Sequence, residues 1–227
     1  MSTCRVAPFA LLVCVVAASA GTAWAHKPIV VNGGPTTAAT AYQVTDVNVS
    51  QVAYHKATAT QPELWLTFQA AANTRLYLQL GAPKLDSGVV VHPAMALLGP
   101  GLPAVDVPFD LPPGYGGYVF DTGGETPVLF HEEFTGTDSW QFATQEPVVP
   151  ADGKYYVVGY LPGEAEGKFW LAIGTAEQFG LSDILSLPRV LFDVRAFHEV
   201  GPVGGLLFWA MAVAALLFAA LLALIAP

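Results

Sequence analysis

Cysteine is nearly absent: the 227 residues hold two, Cys4 and Cys14, both close to the start of the chain. No disulfide can staple the residues beyond Cys14, and no thiolate nucleophile or cysteine metal site can be built among them. Charge is scarce and one-sided, with nine Lys and Arg against eighteen Asp and Glu. Such a chain lacks the basic footprint that nucleic acid requires, so nucleic acid is excluded as a partner. No Gly-x-Ser-x-Gly elbow, phosphate-binding glycine loop or His-Glu-x-x-His zinc motif occurs. Long amphipathic helices that could act as crossovers between parallel strands are missing too, which argues against an α/β sheet.

What is present begins with two apolar segments. Arg5 precedes an apolar run from Val6 to about Ala20, followed by Ala23-Trp24-Ala25. Small residues in the first and last positions of that tripeptide mark residues 1–25 as a cleavable secretory signal with the cut before His26. An uncleaved N-terminal anchor would need ~20 apolar residues, more than this run supplies. A lipoprotein reading at Cys14 is opposed by Leu12-Val13 in front of it. The second segment, Val203 to Ala226, carries no charge. At ~1.5 Å per residue it is long enough for a ~30 Å hydrocarbon core, and Trp209 falls where aromatic rings prefer the interface.

The expected topology is a single-pass cell-membrane protein whose N-terminal domain is extracytoplasmic, periplasmic or extracellular. Arg189 and Arg195 then lie on the translocated side, against the positive-inside bias, which a cleaved signal outranks. Small residues before an apolar stretch also fit a lipid-anchor transfer signal, in which the segment is removed. Removing residues 1–25 takes away only one basic residue, so the mature chain has eight Lys and Arg against eighteen Asp and Glu, about −10.

Between the segments, residues 26–175 read as an antiparallel β-sandwich. Strand signatures fall at Val47–Tyr54, Glu63–Phe68, Arg75–Leu80, Gly88–Val91, Ala94–Leu98, Gly117–Phe120, Ser139–Thr144, Lys154–Tyr160 and Gly167–Ile173, with Gly, Pro and Asp clusters between them. Residues 176–202 change character. Phe179, Leu181, Ile184, Leu185, Leu187, Val190, Leu191, Val194 and Phe197 recur near helical spacing, interrupted at Pro188. This predicts an amphipathic helical connector on the sandwich or at the membrane surface, where Arg189 and Arg195 meet headgroups.

Two stretches carry a resemblance. Gly153-Lys154-Tyr155-Tyr156-Val157-Val158-Gly159-Tyr160 and Gly167-Lys168-Phe169-Trp170-Leu171-Ala172-Ile173-Gly174 resemble the closing hairpin of bacterial pre-peptidase C-terminal domains. That resemblance implies a jelly-roll-like sandwich and an accessory or binding module. The whole chain is similar to uncharacterised secreted prokaryotic proteins with one C-terminal span, in which a Phe-Thr-Gly-Thr and a Phe-His-Glu segment recur; here they are Phe134–Thr137 and Phe197–Glu199.

Candidate chemistry starts at the mature N-terminus. The α-amino group and imidazole of His26 can chelate Cu(II), with a second imidazole from His55, His92, His131 or His198. Pro28 removes one backbone N–H and so disfavours the amide-bound copper complex of N-terminal peptides. Asp121-Thr122-Gly123-Gly124-Glu125 offers oxygen ligands for Ca²⁺ around a glycine turn, without the full ligand series of an EF-hand. His131-Glu132-Glu133 with Asp138 invites an active-site reading. Neighbours on a strand face opposite ways, so a solvated loop is the expectation there.

Tyr115 and Tyr118, with Trp65, Trp140 and Trp170, could build an aromatic platform for sugar or peptide, although strand aromatics ordinarily fill a core. His198-Glu199, just ahead of the apolar segment, suits contact with a membrane neighbour or an interfacial polar cap. Gly201, Gly204 and Gly205 would allow close approach of a partner helix.

Three functional readings remain. The preferred one is a membrane-anchored extracytoplasmic interaction module or accessory subunit, without catalytic activity or cofactor, bound to the bilayer through residues 203–226 and to a membrane or extracytoplasmic protein. Its interaction surface would use Tyr115, Tyr118, Arg195 and His198. The alternatives are a copper-binding or delivery protein built on His26, and a copper-dependent oxidase or hydrolase, which needs a converging acid, base or groove.

Overall fold

The computed structural model describes residues 27–30, 34–178 and 181–201, with position 214 alone beyond them. The expected signal, His26 and nearly all of the apolar run 203–226 lie outside the described residues.

Eleven strands and one helix organise the described chain. They are β1 (Lys27–Val30), β2 (Tyr42–Gln43), β3 (Gln51–Ala57), β4 (Glu63–Ala70), β5 (Leu78–Pro83), β6 (Ala94–Gly99), β7 (Gly116–Asp121), β8 (Val128–Glu132), β9 (Thr137–Gln141), β10 (Gly153–Tyr160), β11 (Gly167–Ile173) and α1 (Leu181–Phe197). Six strands form one sheet in the order β1-β3-β11-β5-β9-β8, and five form the other in the order β2-β4-β10-β6-β7.

The sandwich expectation holds, but the sheets are not purely antiparallel. β1 runs parallel to β3, and β2 runs parallel to β4. Parallel neighbours need a crossover connection, ordinarily a helix. Here a strand of the opposite sheet supplies it, since β2 intervenes between β1 and β3, and β3 between β2 and β4.

The inner faces meet over Leu64, Leu66, Phe68, Leu78, Leu80, Leu97, Tyr155, Val157, Phe169 and Leu171, all essentially inaccessible. Burying one such side chain contributes about 1.5–3 kcal/mol. The outer faces are covered as well. Val52, Trp170 and Ala172 of the larger sheet, flanked by Tyr54, pack beneath Phe197 of α1. On the smaller sheet Trp65, Ala96, Tyr156, Val158 and Tyr160 are roofed by a proline-rich stretch carrying Val105, Val107, Phe109 and Tyr115. Double-sided burial explains why β6 and β10 read as continuous apolar runs instead of alternating.

Several sequence boundaries move. β3 begins at Gln51, because Val47–Ser50 bridges to Ala176 through Val49 instead of joining the ladder. The alternation from Arg75 enters the sheet only at Leu78, Arg75 itself making an isolated bridge to Val148. Gly88–Val91 is loop, its Val90 and Val91 packing on the core without strand pairing. Helix α1 continues through Pro188 instead of breaking there. Proline removes one intrahelical bond, and Leu191 and Val194, both buried beyond it, tie down the second half.

Strand directions gather one set of features at one end of the sandwich. β3, β5, β7, β8 and β10 finish there, and β4, β6, β9 and β11 start there. The last turn of α1 reaches the same end, where Lys168 near the start of β11 bonds the Phe197 carbonyl.

Candidate functional site: the helix–sheet junction

Ser139 on β9 and Trp170 on β11 share the outer face of the larger sheet, and His198 directly succeeds α1. The Trp170 indole N–H donates to Ser139 Oγ at 3.2 Å, and Ser139 Oγ lies 2.9 Å from His198 Nε2. His198 Nδ1 is 2.8 Å from the Val194 carbonyl one helical turn back. A carbonyl only accepts, so Nδ1 carries the proton and Nε2 accepts from the serine hydroxyl. The three groups thus form one directed chain of hydrogen bonds, with Ser139 and His198 both buried. Tyr54 and Phe197 meet the imidazole edge to face. Burial pushes the His198 imidazole below its usual pKa and the Tyr54 phenol above its own, Glu132 adding to the latter.

A serine against an imidazole suggests a nucleophile and its base. Here the far nitrogen is held by a helix carbonyl where a triad has a carboxylate, and the serine oxygen already receives an indole N–H. The arrangement works as a latch fastening the helix end to the sheet.

Two cations complete it. Arg195 donates from Nε and Nη2 to the Gly201 carbonyl at 2.9 and 2.6 Å, and from Nη1 to the Thr135 carbonyl at 2.5 Å. Lys168 Nζ donates to the Phe197 carbonyl at 2.7 Å and to Glu199 Oε1 at 2.8 Å. The helix closes in a Schellman pattern, Val200 N–H bonding the Arg195 carbonyl and Glu199 N–H the Ala196 carbonyl. Glu199 takes the left-handed conformation there, with φ 60°, a place usually held by glycine. Its bond to Lys168 gives a reason for the carboxylate, and the ion pair holds the Glu199 carboxyl below the usual range. Phe134–Thr137 and Phe197–Glu199, separate in the chain, therefore meet in one junction.

Sequence reasoning singles out Arg195 and His198 as contacts with outside partners; both are engaged within the chain. It misses Ser139, Trp170 and Lys168 as members of one site. The only signal for them is that strand residues 139, 168 and 170 must share a sheet face with whatever covers it.

The remaining candidate ligands lie apart. His55 Nε2 is 3.0 Å from the Gln61 carbonyl, its ring against Phe169, and burial lowers its pKa. His92 Nδ1 is 2.8 Å from the Thr122 carbonyl, beside Phe142. His131 Nδ1 is 2.7 Å from Asp138 Oδ1, a hydrogen bond that holds the Asp138 carboxyl below its usual range. Among the described residues no three His, Cys, Asp or Glu side chains gather as a metal site. In the Asp121–Glu125 turn, Asp121 accepts the Gly123 N–H and Glu125 the Ala143 N–H.

Of the segment expected as a solvated loop at His131–Glu133, His131 and Glu132 are the end of strand β8 and Glu133 lies exposed in the turn that follows. The Glu132 carboxylate turns back to accept the Phe134 and Thr135 N–H groups, shaping the tight hairpin into β9. No aromatic platform assembles from the three tryptophans. Trp65 lies under the proline-rich cover with Tyr156 and Phe109, and Trp170 on the other sheet under α1. Tyr115 belongs to that cover, its hydroxyl donating to the Lys154 carbonyl at 3.0 Å, whereas Tyr118 is exposed on edge strand β7. Trp65 Nε1 is buried with no hydrogen-bond partner among the described residues.

No protein-family model matches the chain, and no curated protein matches it. Among solved structures, the pre-peptidase C-terminal domain of a collagenase from Bacillus anthracis is similar over 62% of this chain and 97% of that one, with 13% identity and a TM-score of 0.30. That distance carries no functional argument.

Proposed function

We propose that this chain is a membrane-anchored extracytoplasmic interaction module or accessory subunit with no catalytic role of its own. The observation that carries the reading is the position of the latch. The junction ends at Gly201, whose carbonyl Arg195 holds, and the uncharged run Val203 to Ala226 starts two residues later. A β-sandwich clamped to a helix that leads directly into an apolar segment long enough for a bilayer is the layout of a tethered ectodomain. The chemistry of the domain supports a binding role. Its buried Ser139–His198 pair is consumed in holding the helix, and its other described histidines are spread over separate elements. Among the described residues no helix is long and apolar enough to cross a membrane, so anchoring depends on the run beyond them.

The test is expression with the native N-terminus in a secreting bacterium, followed by alkaline carbonate extraction, protease treatment of the exposed outer face and N-terminal sequencing. The expected result is a carbonate-resistant protein cut by external protease and starting at His26. Release by carbonate, or protection from protease, would refute the anchoring or the orientation. In situ crosslinking from exposed Tyr118 then identifies the protein partner.

A further inference from the structure

The junction lies close in the sequence to the apolar run. Arg195 ties Gly201 to the α1 end and to the β8–β9 hairpin together, and only Pro202 separates that clamp from Val203. One residue spans at most ~3.6 Å. Whatever surrounds the clamp is therefore held at headgroup depth, given the anchored reading above on which this inference rests.

Two exposed phenylalanines are found there. Phe134, at the hairpin turn whose carbonyls Arg195 bonds, is 40% exposed, and Phe192, one turn before Arg195 on α1, is 61% exposed. Arg189, Phe192 and Ala196 are all exposed and fall along one outward stripe of the helix. Arg189 is paired with Asp193, Nε to Oδ2 at 3.6 Å, so the stripe carries no surplus negative charge. The loops at the same end differ: Asp86 after β5 and Glu166 before β11 are exposed there, whereas Glu133 sits beside Phe134 in the β8–β9 turn. Standing the sandwich on those loops would press carboxylates toward acidic headgroups. Laying it on α1 presents aromatic rings, which favour the interface, and a compensated arginine.

We propose that the protein lies on its α1 side, with Phe192 and Phe134 seated in the headgroup layer of the bilayer and the Asp86 and Glu166 loops turned toward water. The mature chain has no cysteine, so single cysteines can be placed at will. The experiment uses the chain from His26 to Pro227 in vesicles of mixed phosphatidylcholine and phosphatidylglycerol, with a nitroxide on Phe134→Cys, Phe192→Cys, Ala196→Cys, Asp86→Cys or Val148→Cys, the last at the opposite end of the sandwich. Accessibility to oxygen is compared with accessibility to a nickel chelate.

Flotation after carbonate washing comes first: a protein that does not float overturns both the anchoring and this orientation. For a protein that floats, the expected result is a shift toward oxygen at 134, 192 and 196, with 86 and 148 nickel-accessible. Oxygen preference at 86 with nickel preference at 192 and 196 would mean an end-on domain and overturn the proposal alone. Nickel preference at every position would do the same. Loss of access to both reagents at 192, with spin–spin broadening, would place a second copy on α1 and also overturn it.

Discussion

Replacing Ser139 by alanine tests the latch at its centre. The substitution removes one oxygen that satisfies two buried groups, the Trp170 indole N–H and His198 Nε2. Leaving a buried polar atom without its partner costs about 1–3 kcal/mol, so two of them give about 2–6 kcal/mol, the lower half applying if the imidazole relaxes toward water. That is a large share of the roughly 5–15 kcal/mol by which domains are ordinarily stable. His198→Ala should cost at least as much, because the ring also packs on Tyr54 and Phe197. The decisive quantity is the coupling. With His198 already gone, Ser139→Ala orphans only the indole, so the double variant should fall short of the sum of the singles by about 1–2 kcal/mol. Urea unfolding of the detergent-solubilised chain, followed by tryptophan fluorescence, measures all three. Additive effects, or a Ser139→Ala midpoint equal to the parent, would refute the claim that these residues act as one unit.

Acid should weaken the fold. Burial lowers the pKa of His198 and of His55 in the folded state, so the unfolded chain, titrating near about 6.5, takes up more protons as pH falls. The stability from keeping both neutral is complete above about pH 6.5 and is lost as pH drops toward the folded values; a urea midpoint that does not fall over that window would contradict it. Gly81→Ala should destabilise by about 1–3 kcal/mol or more, because the added carbon meets the Trp170 indole, which must move from under α1; the same urea assay reads it. Arg195→Gln should release the Gly201 carbonyl, seen as faster amide exchange at His198–Gly201 with sandwich amides unchanged; unchanged exchange at both would show the clamp idle. Copper titration of the chain starting at His26 should show no stoichiometric uptake; uptake abolished by His26→Ala would move the assignment to a copper protein.

Much of this protein is legible in the amino-acid order alone. Local composition sets the strands Glu63–Phe68 and Lys154–Tyr160, because β-branched and aromatic residues between Gly and Pro breakers favour pleated segments without help from elsewhere. Spacing likewise marks the helical character of 181–197. The cysteine-free interior and acidic balance are composition itself and are known before any fold. Other features needed the third dimension. β8 was hidden because Val128–Glu132 is short, partly charged and exposed, and is a strand only through its pairing with β9. The two parallel edge pairs depend on the chain alternating between sheets, which no local pattern encodes. The junction is the clearest case. Nothing in the neighbourhood of Ser139 foretells His198, 59 positions away, or Trp170, 31 away. Hydrogen-bond partners are chosen by proximity after two sheet faces and a helix have packed, so tertiary structure alone decided that these residues hold the domain to its helix.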